Sequence, residues 1–177
     1  MMDHPARDVP KYSLASRMLH WIVAILVFLT WPLGLMLDFV KDDVKLDFYL
    51  VHESLGFLIL WIMLLRVGVR LFTPAPRSTA PAVERIAAHM VHGLLYLFLI
   101  IMPVSGFLAT NAHGFPLQWF GLLPIWSPIG KSPDIAPTFS TIHEWSAWII
   151  LALVALHILA VIFHHLIRRD ATLYRIL

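Results

Sequence analysis

No cysteine occurs in the 177 residues. That excludes disulfides, thiolate-held iron–sulfur clusters, cysteine–zinc sites and the Cys-x-x-Cys-His attachment of a c-type haem. Charge is also scarce: 14% of residues are charged, against 59% hydrophobic. A soluble domain of this size seldom has so little polar material with which to cover its surface. The apolar residues fall into four long runs, about 14–37, 51–72, 86–108 and 141–167. Each is long enough to span a bilayer. The reading is an all-α membrane protein, one domain over residues 1–177, built as a bundle of four transmembrane helices. No cleavable signal peptide is expected, because the first run follows a polar leader, Met1–Lys11, and is itself long enough to span.

The few charges are distributed unevenly. Arg7, Lys11, Arg17, Arg66, Arg70, Arg77, Arg85, Arg168, Arg169 and Arg175 belong to the N-terminal side, the second loop and the tail. The first and third loops hold only Lys41, Lys45 and Lys131. The positive-inside rule then puts both termini in the cytoplasm. The first loop, Asp38–Asp47, reads as acidic. The third, Asn111–Phe139, is long and carries Trp119, Phe120 and Trp126, which points to a segment lying in the membrane interface.

Histidines inside apolar runs are costly and usually functional. In the fourth run His143 and His157 are fourteen residues apart. On an α-helix that places them within about 40° of one face and about 21 Å apart along the axis. With the topology above, His52 and His143 share the outer level, and His20 and His157 the inner one. Two imidazoles flanking an iron porphyrin give a six-coordinate, electron-transferring centre with no position open for oxygen. Depth matching alone does not single out haem, since a buried histidine also serves as a helix-to-helix hydrogen bonder. Arg17 and Arg66 lie near the inner level and can meet acidic groups or snorkel to headgroups. Gly56, one turn after His52, leaves room for a flat ligand or a close helix. Pro32 with Gly34 reads as a kink in the far half of the first run, and Pro103 and Gly106 fall towards the end of the third. Glu53 and Glu144 favour helix starts. Neither His-Glu pair has the second histidine of a zinc-protease motif. His92 divides between a cofactor or proton-path role and helix packing. His89 reads as interfacial, and His4 and His113 carry no assigned role.

The chain resembles the bacterial cytochrome b561 family of four-helix, di-haem membrane proteins. The likeness runs in order through Lys11-Tyr12-Ser13, His20-Trp21, His52 with Gly56, Arg66 and Arg70, Ala88-His89 with His92 and Tyr96, Trp119-Phe120-Gly121, His143-Glu144, Leu156-His157 and His164-His165. It implies two b haems, ligated by His20/His157 and His52/His143, and electron exchange with a membrane quinone such as ubiquinone. It also implies a bacterial inner-membrane location, with membrane lipid and a periplasmic donor or acceptor as partners. No nucleic-acid partner is expected. Superoxide oxidation at the outer face is one activity attested in the family. A quinone site is expected near His164, with Ser13, Ser16 and Arg17 as neighbours. A second reading is an anchor subunit that passes electrons for a periplasmic dehydrogenase, hydrogenase or reductase. A third is a divalent-metal transporter, which the lack of a mid-membrane acid disfavours.

Overall fold

A computed structural model of the chain describes residues 9–77 and 80–177. The first eight residues of the leader, including His4 and Arg7, lie outside them. Four helices carry the fold: α1, Leu14–Met36; α2, Asp42–Phe72; α3, Ala82–His113; and α4, Ala136–Ile162. Helix α4 runs on into a π-helical turn, Phe163–Arg168, and a short 3-10 turn follows at Leu173–Arg175. All four helices are long and apolar enough to cross a membrane. Their outward faces carry large apolar side chains such as Phe28, Trp61, Leu65, Met90 and Leu159, as a lipid-facing surface does.

Three helices are longer than the apolar runs. Hydropathy reports where the hydrocarbon ends, whereas capping chemistry decides where a helix ends. Helix α2 starts at Asp42, nine residues before the expected boundary, with Asp42 and Asp43 in its first turn. Carboxylates there complement the helix dipole, so most of the expected acidic loop is helical. Helix α3 continues to His113 and stops at Gly114, whose φ of 96° ends the helix in the left-handed conformation. Its N–H and that of Phe115 satisfy the carbonyls of Asn111 and Thr110, and glycine takes this conformation without a steric penalty. Helix α4 begins at Ala136, with Pro137 in its opening turn. The α3–α4 connection therefore shrinks to residues 114–135.

That connection folds on itself. β1, Gln118–Trp119, pairs antiparallel with β2, Leu123–Pro124. Phe120 and Gly121 turn between them at φ of 50° and 70°. The hairpin is pinned to α2: the Trp119 indole donates to the Ser54 carbonyl at 3.2 Å, and the Phe120 N–H to the Ser54 hydroxyl at 2.7 Å. Trp126 and Leu122 are exposed.

Close packing follows chain order, α1 on α2, α2 on α3 and α3 on α4. A layer of Val23, Val27, Ile59, Met63, Leu99, Met102 and Ile150 fills the bundle's middle. Small buried residues, Ser54, Ser105, Ser146, Ala109 and Ala112, let the helix backbones approach. The Tyr12 N–H donates to the Arg175 carbonyl at 3.0 Å, so both described chain ends lie at one end of the bundle. This is the termini end; the α1–α2 and α3–α4 connections mark the loop end.

Candidate functional site

Helices α2 and α4 meet at the loop end through two rings: the His52 and His143 centroids lie 6.0 Å apart, at 86° to each other. Each ring sits in a notch in a neighbouring helix. His52 Nδ1 is 3.1 Å from the Thr30 carbonyl of α1, and His143 Nδ1 is 2.8 Å from the Met102 carbonyl of α3. A carbonyl only accepts, so both rings hold a proton on Nδ1, and in neutral imidazole Nε2 keeps its lone pair. Gly34 and Gly106 follow these carbonyls by four residues. A Cβ on Gly34 would stand 2.8 Å from His52 Cε1, and one on Gly106 2.8 Å from both Cε1 and Nδ1 of His143. Glycine is needed at both positions for the rings to reach the carbonyls. Pro32 and Pro103 lie inside the same two turns, where each removes one backbone donor and loosens the ladder. The sequence signal was therefore present as two Pro–Gly turns at one depth. The glycines of both turns seat the histidines. Gly56, expected to make room, has nothing within 4 Å of an added Cβ.

At the termini end the His20 ring of α1 and the His157 ring of α4 lie 6.2 Å apart. Here the surroundings are charged and open. Arg66 reaches from α2, its Nε donating to the Tyr96 hydroxyl at 2.9 Å and its terminal nitrogen to His20 Nδ1 at 3.1 Å. Guanidinium has no acceptor, so a neutral His20 ring in this arrangement carries its proton on Nε2. His92 of α3 stacks edgewise on His157, with centroids 5.3 Å apart. His20, His92, His157, Arg66 and Tyr96 line a cavity of about 470 Å³, walled by apolar residues such as Val27, Met63 and Leu99. That volume is within the range of cofactor pockets.

The remaining candidates divide between this cavity and the chain's end. Ser16 and Tyr12 line the cavity. The Ser13 hydroxyl caps α1 by accepting from the Ser16 N–H at 3.2 Å. Arg17 turns the other way and donates to the Leu177 backbone oxygen. His164 does not line the cavity. The π-helical turn breaks the regular seven-residue return to the His157 face, and His164 Nδ1 instead meets Asp170 Oδ2 at 2.6 Å. Partial burial pushes the Asp170 carboxyl up, but bonds from Thr172 and His164 outweigh it and hold it below the usual carboxylate range. His89 bonds the Arg85 carbonyl of its own helix. Glu53, read as a helix-start residue, lies well inside α2 and accepts from the Thr110 hydroxyl at 2.9 Å. His113 meets the Ser140 hydroxyl at 3.1 Å.

Four apolar helices long enough to span, with histidines paired at two depths, suit a membrane redox protein. The match to known proteins makes this specific: the chain belongs to the prokaryotic cytochrome b561 family, whose pattern it follows over residues 11–177. It is 31% identical to cytochrome b561 homolog 2 of Escherichia coli (strain K12), over 94% of this chain and 91% of that protein. It is 29% identical to the probable superoxide oxidase CybB of Yersinia pestis, over 94% and 96%. It is 25% identical to cytochrome b562 of Cereibacter sphaeroides, over 95% and 96%. The chain is thus a multi-pass bacterial membrane protein of a family of electron-transferring b cytochromes.

Family membership carries haem b binding, and the histidine geometry provides a test of fit. Two imidazoles that would share one metal, each about 2 Å from it and with about 1 Å from nitrogen to ring centre, would have centroids roughly 6 Å apart. The pairs at 6.2 Å and 6.0 Å meet that spacing. The His92 and His157 centroids, at 5.3 Å, are closer than that spacing. The glycine notches and the bonded Nδ1 atoms at the loop end fit as well. At the termini end Arg66 must release His20 Nδ1 before Nε2 can offer its lone pair.

Proposed function

We propose that the chain conducts electrons across the bacterial inner membrane through two b haems, one held by His20 and His157 and the other by His52 and His143. The observation that carries this reading is the pair of roughly 6 Å imidazole separations, one at each end of the bundle. Each haem, when bound, would supply a one-electron relay of modest reorganisation.

The protein's own residues do the rest. At the loop end the Thr30 and Met102 carbonyls accept from Nδ1–H of His52 and His143, which fixes ring orientation and tautomer and raises the basicity of Nε2. With both imidazoles of a site committed to one haem, that haem would serve electron transfer and not the binding of a small molecule. The apolar layer around Ile59, Met63 and Ile150 keeps water from the space between the levels. Arg66, Arg70 and Tyr12 supply cationic and polar partners for acidic substituents at the termini end, with Arg17 and His92 as nearby candidates.

Orientation follows from charge: the basic residues gather at the termini end, which is assigned to the cytoplasm. Electrons would then pass between a periplasmic donor, with superoxide as one candidate, and membrane ubiquinone at the termini end. Ser16 and Arg17 lie where a quinone head would approach, while His164 would act through the segment that Asp170 anchors. The anchor-subunit reading draws on the exposed Leu122 and Trp126 of the loop-end hairpin, an apolar patch that a periplasmic partner could cover. Turnover of the purified chain alone with superoxide and ubiquinone separates the two. Sustained turnover establishes a free-standing oxidoreductase, and its absence in a protein with both haems favours the anchor. The metal-transport reading has less support, since the described residues hold no cluster of three or more histidines and carboxylates suited to an ion.

A further inference from the structure

Most sides of the cavity that holds His20 and His157 are shut. Helices α1 and α2, α2 and α3, and α3 and α4 pack in close backbone contact; α1 with α4 is not among these pairs. Beyond the π-helical turn the chain reverses at Arg169, with φ of 53°, and its last residues form a strap over the termini-end mouth. Thr172, Leu173, Arg175 and Ile176 line the cavity there. The Tyr12 N–H donates to the Arg175 carbonyl at 3.0 Å, and the Arg175 guanidinium to the Arg77 carbonyl at 2.7 Å. The remaining side is the α1–α4 seam. Trp21, Ala24, Phe28 and Trp31 recur on α1 at helical spacing, as Trp148, Ala155, Ile158 and Ile162 do on α4. Of these, Trp21, Ala24, Phe28, Ile158 and Ile162 line the cavity, yet Phe28 is 60% and Ile162 45% exposed. Side chains that border a cavity and the membrane at once are the lips of an opening. Two tryptophans tie it. The Trp21 indole donates to the Ile176 carbonyl of the strap at 3.2 Å. The Trp31 indole donates to the Ala147 carbonyl of α4 at 3.1 Å, and its ring meets Trp148 edge-on at 5.9 Å. About 15 Å of helix α1 lies between the two ties.

We propose that haem enters and leaves the termini-end site sideways, from the membrane, through the α1–α4 seam, with Trp31 as the latch that opens; the proposal rests on the haem binding by His20 and His157 inferred above. The apolar lips suit the edge of a porphyrin. The polar groups that would meet its acidic side chains, Arg66, Arg70 and Tyr12, stand towards the cavity's termini end, away from the latch. Entry beneath the strap would break the three bonds that tie the strap down, from Tyr12, Arg175 and Trp21, and would carry an apolar macrocycle past the Arg175 charge. Sideways opening at the latch breaks one bond, Trp31 to Ala147, and keeps the macrocycle among apolar side chains throughout.

The test measures haem exchange by the full-length haem-loaded chain in phospholipid vesicles. Release to excess apomyoglobin, and reloading of the chain so emptied, are followed in the visible spectrum. The chain has no cysteine, so Ala24→Cys with Ala155→Cys puts two unique thiols on the two stripes, to be joined by a short cleavable bis-thiosulfonate. With the stripes joined, release and loading of the termini-end haem should both slow about tenfold, and cleaving the linker should restore them. Trp31→Phe keeps a ring but loses the indole bond, and should speed both about fivefold. A route changes the two rates together and leaves their ratio, the affinity, unchanged; a merely structural role for Trp31 would raise release alone. Rates indifferent to the link, or release raised without loading in Trp31→Phe, overturn the proposal. So does exchange that ignores the link but quickens in a chain ended at Asp170, which would put the entrance beneath the strap. A chain that binds no haem at His20 and His157 overturns the functional reading and the portal together. Bound haem that exchanges at the parent rate in both variants overturns the portal alone.

Discussion

The two histidine pairs have nearly the same ring separation but opposite surroundings. At the loop end both rings are locked by backbone: a carbonyl on each Nδ1, a glycine beneath each ring, and a helix fixed by Ser54 to the hairpin. At the termini end the rings border an open cavity, one of them faces an arginine, and a third histidine stacks on the other. Backbone groups cannot rotate away and carry no net charge, so the loop-end site is pre-organised and its tautomers are set. The termini-end site is held by side chains that can move and by charges that can shift with redox state. Under the proposed function the difference divides the tasks: a rigid relay at one end, and at the other an adaptable centre suited to exchange with a mobile partner.

The largest effects should come from removing a ring. Alanine at His52 or His143 should abolish the loop-end haem and leave the other. His20→Ala or His157→Ala should do the reverse, read as loss of one component in the reduced-minus-oxidised spectrum. If His52→Ala and His157→Ala removed the same component, the pairing by depth would be wrong.

Next in size are the notches. Gly34→Ala and Gly106→Ala each force a methyl against an imidazole, an overpacking cost of about 1–3 kcal/mol. Both should weaken or split the loop-end component and lower thermal stability. A spectrum and a melting temperature unchanged in both variants would show that the close approach at Gly34 and Gly106 does not matter.

Arg66→Met probes the termini end. Loss of one cation beside that site stabilises its oxidised, more positive form. The midpoint potential of that component should fall by roughly 1–3 kcal/mol in equivalent energy, with the loop-end potential little changed. A potentiometric titration followed optically checks this.

The smallest effect concerns the strap. Asp170 is held below its usual range by Thr172 and His164, and is partly exposed. Its contribution to stability is therefore fully present above the unfolded carboxylate value of about 3.9 and is lost as pH falls through the lower folded value. Asp170→Asn should cost less than about 1 kcal/mol and should increase proteolysis after Arg169, a change seen in the digestion pattern with both haem components retained.

Much of this organisation was legible in the sequence because membrane physics is severe. Four runs of apolar residues can only be spans, and four histidines within them can be sorted by depth from helical rise alone. His20 with His157, and His52 with His143, stand ring to ring as that sorting predicts. What hydropathy could not show was where helices stop. Asp42 by its charge in the first turn, Gly114 by its left-handed cap and Pro137 by its place in the opening turn favour those limits, in segments that look like loops when only apolarity is counted. Nor could it show partners that depend on rotation and backbone path. Gly34 and Gly106 matter because of rings on other helices. Arg66 takes His20 Nδ1 because α1 and α2 pack side by side. His164 leaves the His157 face because α4 widens into a π turn, which no residue in Phe163–Arg168 announces.

The central claim is that the chain carries two separate centres, each held by one histidine pair. The most direct measurement is an optical redox titration of the purified parent protein combined with a pyridine haemochrome assay. The account predicts about two b haems per chain and two resolvable midpoint potentials. A well-folded preparation with a single haem, or with none, would contradict it.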